Sequence, residues 1–277
     1  MKRNSYLRTN PILHVVFIVI VVVNIFPLFW MVSSAFKHPN ELFTPDIRLI
    51  PHNPTLENFK VALFEYNFFR WLWNSVVTTL GISVGQMVVC LLAAFALCYY
   101  KTPFNAAVFY ILIATIVVPF QVTMIPNYIL ISKMRLLNTT AAVIIPNLAV
   151  ASTFFFLRQH IKTIPTDFYE VALMEGAKSP WILRNVAIPL CKGSISAMFI
   201  LCVIDGWNMY FWPLLVLSKP ETRTITIGLQ QFLDFEVGNR WGPFMATASL
   251  ASLPIIVLYL FIQRRIIEAF VSSGIKG

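Results

Sequence analysis

Long apolar runs alternate along this chain with short polar connections. The runs extend from about Ile12 to Phe36, Trp71 to Cys98, Ala106 to Leu130, Thr140 to Leu157, Ser194 to Leu217 and Phe244 to Ile262. Each approaches the roughly 20 residues a helix needs to cross about 30 Å of hydrocarbon. The pattern predicts an all-α membrane protein with about six transmembrane helices. Two longer polar stretches interrupt it. Lys37 to Arg70, with Pro39, Pro45, Pro51 and Pro54, reads as an irregular external loop, because proline removes a backbone donor and breaks helices. Residues 159–192 form the other long connection. The expected organisation is therefore a first span with its external loop over residues 1–70, and a membrane core over 71–277 that carries the loop 159–192.

Composition supports the membrane reading. Hydrophobic residues make up 58% of the 277 positions and charged ones only 12%, too little polar surface to cover a water-soluble domain. The net charge of +9 would suggest nucleic acid in a soluble protein, but here the basic residues flank spans. Placing the N-terminus inside puts Lys2, Arg3, Arg8, Lys101, Arg158, Lys162, Lys178, Arg184, Lys192, Arg264, Arg265 and Lys276 on the cytoplasmic side. That is the majority of the Lys and Arg, so both termini and the 159–192 loop are expected in the cytoplasm. Tyr6 to Arg8 and the run that follows are too long for a signal peptide and lack a convincing cleavage site near Ser33-Ser34-Ala35, so the first span is read as retained. Cys90, Cys98, Cys191 and Cys202 show no C-x-x-C pairing and read as small packing residues. His14, His38, His52 and His160 have no metal-ligand spacing, and no metal is assigned.

The 159–192 loop has helix signals. Pro165-Thr166-Asp167 opens a helix in which Asp167 is placed to cap free amides, with Glu170 three residues on as an acidic variant of the capping box. Gly176 closes it about two turns later at a position suited to a left-handed residue. Ser179-Pro180 starts a second helix, serine as cap and proline at its first position, which should stop before Pro189. Ala172, Gly176 and Ala177 then give a low-relief surface for close approach. These residues alone leave two readings open, a docking site for a cytoplasmic partner and an amphipathic hairpin lying on the membrane.

Elsewhere, Asp205 falls near the middle of the fifth run, where an ionised carboxylate costs on the order of 3 kcal/mol. It either lines a polar pathway with Trp207, Asn208 and Tyr210, whose aromatic faces suit a sugar ring, or ties helices together through Gln86 or Asn74. Gly81-x-x-x-Gly85 reads as a helix contact. Pro119 and Pro126, with Pro146, Pro213 and Pro254 in later spans, mark kinks. The sequence has no G-x-x-x-x-G-K-[ST] phosphate loop, G-x-S-x-G elbow or H-E-x-x-H pair, so neither ATP hydrolysis nor membrane-hydrolase chemistry is assigned to it. A secondary transporter using Asp205 as a proton carrier is the alternative of another class, but the inverted repeats it would favour are not evident.

Glu170, Ala172, Gly176, Val186, Ile188 and Pro189 fall at the spacing of an E-A-A-x-x-x-G-x(9)-I-x-L-P loop, with Val171, Val186 and Ile188 as apolar exchanges. The chain thereby resembles the permease subunits of binding-protein-dependent ABC importers. Met124-Ile125-Pro126, Leu136-Leu137-Asn138-Thr139, Gly206-Trp207-Asn208 and Trp212-Pro213-Leu214 look like the maltose-type carbohydrate importers, the likeness running from about Trp71 to the C-terminus. The resemblance implies a type I ABC importer transmembrane domain in a prokaryotic plasma membrane. It also implies a second permease subunit, two ATPase subunits or domains that use ATP and Mg, and an extracytoplasmic solute-binding protein. Asp167, Glu170, Ala172, Gly176 and Ala177 would then belong to a helix that couples to the ATPase, and the solute would be a carbohydrate, with glycerol phosphate as the alternative.

Overall fold

The computed structural model describes residues 11–42, 48–233, 238 and 240–274. Lys2, Arg3, Tyr6, Arg8, Pro45 and Lys276 lie outside the described residues, as do the side chains of Arg264 and Arg265. No strand occurs among the described residues.

The first run forms α1 (Pro11–Ala35) and the second forms α2 (Phe68–Tyr99). The third is broken into α3 (Asn105–Ala114), a 3-10 turn to Val117, and α4 (Phe120–Lys133). The fourth is broken into α5 (Thr140–Ile144), a 3-10 turn over Ile145–Asn147, and α6 (Ala151–Lys162). A short helix, α7 (Thr166–Met174), is followed by α8 (Ser179–Leu190), α9 (Lys192–Asn208), α10 (Phe211–Val216) and the last long helix α11 (Trp241–Gly274). Among the described residues, three single helices are long and apolar enough to cross a membrane, and up to six spans result if each bent helix pair counts as one.

The bends fall where the sequence places proline or polar residues. The α3–α4 pair turns by 101° at Pro119, and α5–α6 turns by 47° across residues 148–150, just after Pro146-Asn147. The fifth span differs from the expected Ser194–Leu217. Its helix begins two residues earlier, after an 84° turn out of α8, and ends at Asn208. Met209 is extended there, and α10 restarts as a separate short helix. The segment after α1 is also less irregular than its proline content suggests, with helical turns at Pro39–Leu42 and Glu57–Lys60 and a π turn over Val61–Glu65. Pro39 opens its turn, where a missing N–H costs nothing.

By contact density the chain forms two units, Met1–Phe68 with Leu229–Ser252 and Phe69–Gly228 with Leu253–Gly277. In the first, Ala35, Ala62 and Ala246 make a small core with Phe59 and Met245. Asn58 Nδ2 donates to the carbonyls of Ala35 at 2.9 Å and Lys37 at 2.7 Å. Lys37 is buried, its ammonium 4.0 Å over the Trp30 ring and donating to Arg48 O at 2.6 Å. Burial pushes its pKa below the ordinary lysine range, with Glu41 opposing.

In the second unit the glycines expected to make a helix contact do so. A Cβ on Gly81 would lie 2.5 Å from the Ile144 side chain, and one on Gly85 would overlap Leu148. The segment after α10 is pinned to the start of α2. Trp71 Nε1 donates to Pro220 O at 2.8 Å, Asn74 Nδ2 donates to the carbonyls of Glu221 and Arg223 at 3.0 Å each, and Ile225 N–H donates to Ser75 Oγ at 2.8 Å. Asn138 fastens the other end of this segment. At φ 61° its Oδ1 accepts from Ser218 N at 2.7 Å, Ser218 Oγ at 3.0 Å and Lys219 N at 2.9 Å.

All three of those bonds end on one acceptor oxygen, which predicts a specific mutational pattern. Asn138→Ala should lower the stability of the detergent-solubilised protein by about 2 kcal/mol, whereas Asn138→Asp keeps the acceptor and should stay near wild type. Thermal denaturation followed by tryptophan fluorescence checks both.

Candidate functional site

The loop expected between residues 159 and 192 folds as a helical hairpin, α7 and α8. Pro165 stands at the N-cap of α7 and no side chain caps it, so the expected capping box of Asp167 and Glu170 does not form. Thr166 takes the first helical position, which places Asp167 inside the first turn, where its charge still favours the helix N-terminus. The C-terminus follows the expectation closely. Gly176 has φ +80°, its N–H donates to Leu173 O at 2.9 Å, and the N–H of Ala177 reaches back to Ala172 O at 2.9 Å. This pair of bonds is a Schellman motif, which needs a left-handed residue at the turn. No atom lies within 4 Å of a Cβ built on Gly176, so backbone conformation alone selects glycine.

Two expectations about α8 are corrected. Its N-cap is Lys178 with Pro180 in the first turn, rather than Ser179 as cap. The helix also does not stop before Pro189. A π turn over Leu183–Ala187 widens the hydrogen-bond ladder ahead of the proline and lets the helix continue to Leu190.

Ala172 and Ala177 do not form the open low-relief surface expected of them. Ala172 is only 5% exposed and packs with Ile182, Ala187, Cys191 and Met198, and with Phe95, Phe154 and Leu157 from α2 and α6. Ala177 is partly buried against the same cluster. These alanines face the chain's own core because they sit on the side of α7 turned toward α8. The outward face of α7 instead carries Asp167, Phe168, Glu170, Val171 and Met174, all exposed, Met174 by 88%. Exposed large apolar side chains clustered on one short helix mark a surface for contact with another molecule.

Helical phase also divides the residues expected to line a pathway. Asp205 and Asn208 are exposed along one edge of α9, but Trp207 is buried at 7% and Tyr210 lies beyond the helix end, half-buried. Positions 205 and 207 are about 200° apart around a helix, so Asp205 and Trp207 cannot share a wall. Asp205 stands in the last turn of α9, not at the middle of a span. It has no hydrogen bond or ion pair with another described residue. The expected ties to Gln86 and Asn74 are absent, because Gln86 donates to Thr153 at 2.6 Å and Asn74 to the loop carbonyls of Glu221 and Arg223.

One feature escaped the sequence reading. The breaks in the α3–α4 and α5–α6 pairs flank a cavity of about 420 Å³ whose lining includes Thr115, Thr123, Asn127, Asn147 and Ser152. Pro119 and Pro146 signal each break, but nothing in the order of residues shows that the two breaks meet.

Bent apolar spans, a cavity with several polar groups at their breaks and a cored hairpin suit a helical membrane-transport subunit. Residues 86–270 match the family model described as "Binding-protein-dependent transport system inner membrane component", and the chain belongs to that family. It is thus an inner-membrane permease subunit of an ABC importer. Among similar proteins is the sn-glycerol-3-phosphate transport system permease protein UgpE of Brucella abortus (strain 2308), 30% identical over 96% of this chain and 97% of the relative. The UgpE protein of Salmonella typhi is 29% identical over 94% of this chain and 95% of its own length. The fold is also that of a chain in a bacterial ABC transporter involved in the import of the acidic polysaccharide alginate. That match has a TM-score of 0.81 at 21% identity and covers 94% of this chain and 99% of that one.

The packing of Ala172 gives a test that needs no knowledge of the solute. Ala172→Leu should overpack the core and destabilise the purified protein by about 1–3 kcal/mol, whereas Met174→Leu, on the outward face, should leave stability unchanged. Melting curves of the two variants in detergent distinguish a core position from a surface one.

Proposed function

We propose that this chain is one of two permease subunits of an importer for a carbohydrate handed over by an extracytoplasmic binding protein. In this reading the second permease is a different chain, and two ATPase subunits or domains hydrolyse ATP with Mg. Both termini and the α7–α8 hairpin lie in the cytoplasm. Residues 1–70 supply a peripheral span and external cap, and 71–277 the translocating core.

The hairpin carries the proposal. Asp167, Glu170 and Gly176 belong to a helix whose exposed apolar and acidic face suits a cleft in the ATPase, while Ala172 and Ala177 fasten that helix to the spans. Pushing on α7 therefore moves α2, α6 and α9 with it, since a close-packed interior transmits displacement. Asp205 and Asn208, open on α9, and the polar cavity at the helix breaks supply groups for a solute route. Trp207 supports that route from behind rather than by touching solute, and Tyr210 sits at the break where α9 ends.

Glycerol phosphate is the second reading, favoured by the sn-glycerol-3-phosphate transport system to which the UgpE relatives belong. Uptake of a labelled solute into proteoliposomes, with the purified binding protein present and unlabelled sugars or glycerol phosphate as competitors, decides between them. In that assay Gly176→Val should cut uptake at least tenfold while the complex still assembles, because a β-branched residue at φ +80° strains the turn by about 1–2 kcal/mol. Normal uptake and solute-stimulated ATPase activity in Gly176→Val would refute the coupling role.

Asp205→Asn keeps the shape and removes the charge. If Asp205 borders the route, the variant should assemble normally and show an altered uptake rate or solute range. Unchanged rate and range would take Asp205 out of the pathway.

A further inference from the structure

A cavity of about 760 Å³ in the second unit is a crevice where α7 meets the ends of α2 and α6. Its charged lining consists of Lys101, Arg158 and Lys162 against the single acid Glu170. None of the three cations is ion-paired with another described residue. Two polar atoms of the lining, Arg158 Nε and Tyr169 Oη, are buried without any hydrogen-bond partner. The Arg158 guanidinium lies 3.9 Å over the Phe109 ring, which supports its flat face and leaves its edge to donate. Burial, reinforced by Cys191 and Cys98, pushes the Tyr169 phenol up to about 12, so it remains a hydrogen-bond donor at physiological pH.

Buried donors of this kind call for an acceptor, and none of the described residues supplies one. The missing group must accept several hydrogen bonds, carry negative charge and fit among basic and aromatic side chains. A phosphate oxyanion meets all three conditions, and arginine with lysine is the usual means of holding one. The crevice lies at the C-terminal ends of α2 and α6, beside Tyr99 and Tyr100, a residue type enriched where spans meet lipid headgroups.

We propose that this crevice is a binding site for a phosphate group, held by Arg158, Lys101, Lys162 and the Tyr169 hydroxyl, which braces α7 against the ends of α2 and α6. The group belongs either to an anionic phospholipid or to free phosphate. The site is separate from the proposed solute route, and its binding test stands whether or not α7 couples to an ATPase.

The assembled transporter, delipidated in a maltoside detergent that contains no phosphate, is tested in two arms. Native mass spectrometry counts retained phosphatidylglycerol after its addition, and a thermal-shift titration follows inorganic phosphate. Saturable binding is expected in at least one arm, and the arm that responds identifies the source. Tyr169→Phe and Arg158→Gln should weaken it at least fivefold, with Lys133→Gln unchanged, which also separates this site from phosphate bound by an ATPase partner. If Arg158→Gln fails to assemble, Tyr169→Phe, which loses only the hydroxyl, decides alone. No saturable binding in either arm, or Tyr169→Phe binding as wild type does, would overturn the proposal.

Discussion

The seating of Ala172 in a core shared with the spans is the contact on which the rest of the molecule depends. Ala172 on α7 belongs to one buried cluster with side chains from α2, α6, α8 and α9, so the hairpin shares its core with the long helices. A larger residue would hold the helices apart, and a polar one would bury an unpaired group. The Schellman turn at Gly176 fixes where α7 stops and hence which face points inward.

A second constraint comes from the bilayer, where every backbone donor and acceptor must be satisfied within the protein. The breaks in this chain meet that demand with side chains. Trp212 Nε1 donates to Ala142 O at 3.0 Å, Asn147 Nδ2 to Val143 O at 2.8 Å, and Thr226 Oγ1 to Met209 O at 3.0 Å. Broken helices so supported leave irregular backbone and polar side chains at membrane depth, the condition a polar solute needs. α1 does the opposite, with exposed apolar residues over most of its length. Such a helix is suited to lipid or to another apolar chain.

Much of this was legible in order and spacing. The six apolar runs, the prolines at the breaks, the Gly81 and Gly85 contact and the left-handed Gly176 each follow from local rules that act over a few residues. The hairpin's family resemblance rested on the same residues. What the spacing could not give was phase and partnership. Ala172 was read as surface because small residues suit both a docking face and a tight core, and only the packing of α8 chooses. Trp207 was grouped with Asp205 by proximity in sequence, although a helix turns them apart.

The sequence by itself determined that this chain crosses a membrane, that prolines interrupt its third and fourth runs, and that Gly176 takes a left-handed turn, because hydrophobic length and backbone conformation are properties of short segments. The tertiary structure alone decided that Gln86 serves Thr153 and Asn74 the loop after α10, leaving Asp205 unpaired, and that two distant breaks enclose one cavity. It likewise gathered Lys101, Arg158, Lys162 and Tyr169 from three segments around one crevice. Those outcomes depend on which helix lies against which, and that is set by the sum of many weak contacts between residues far apart in the chain.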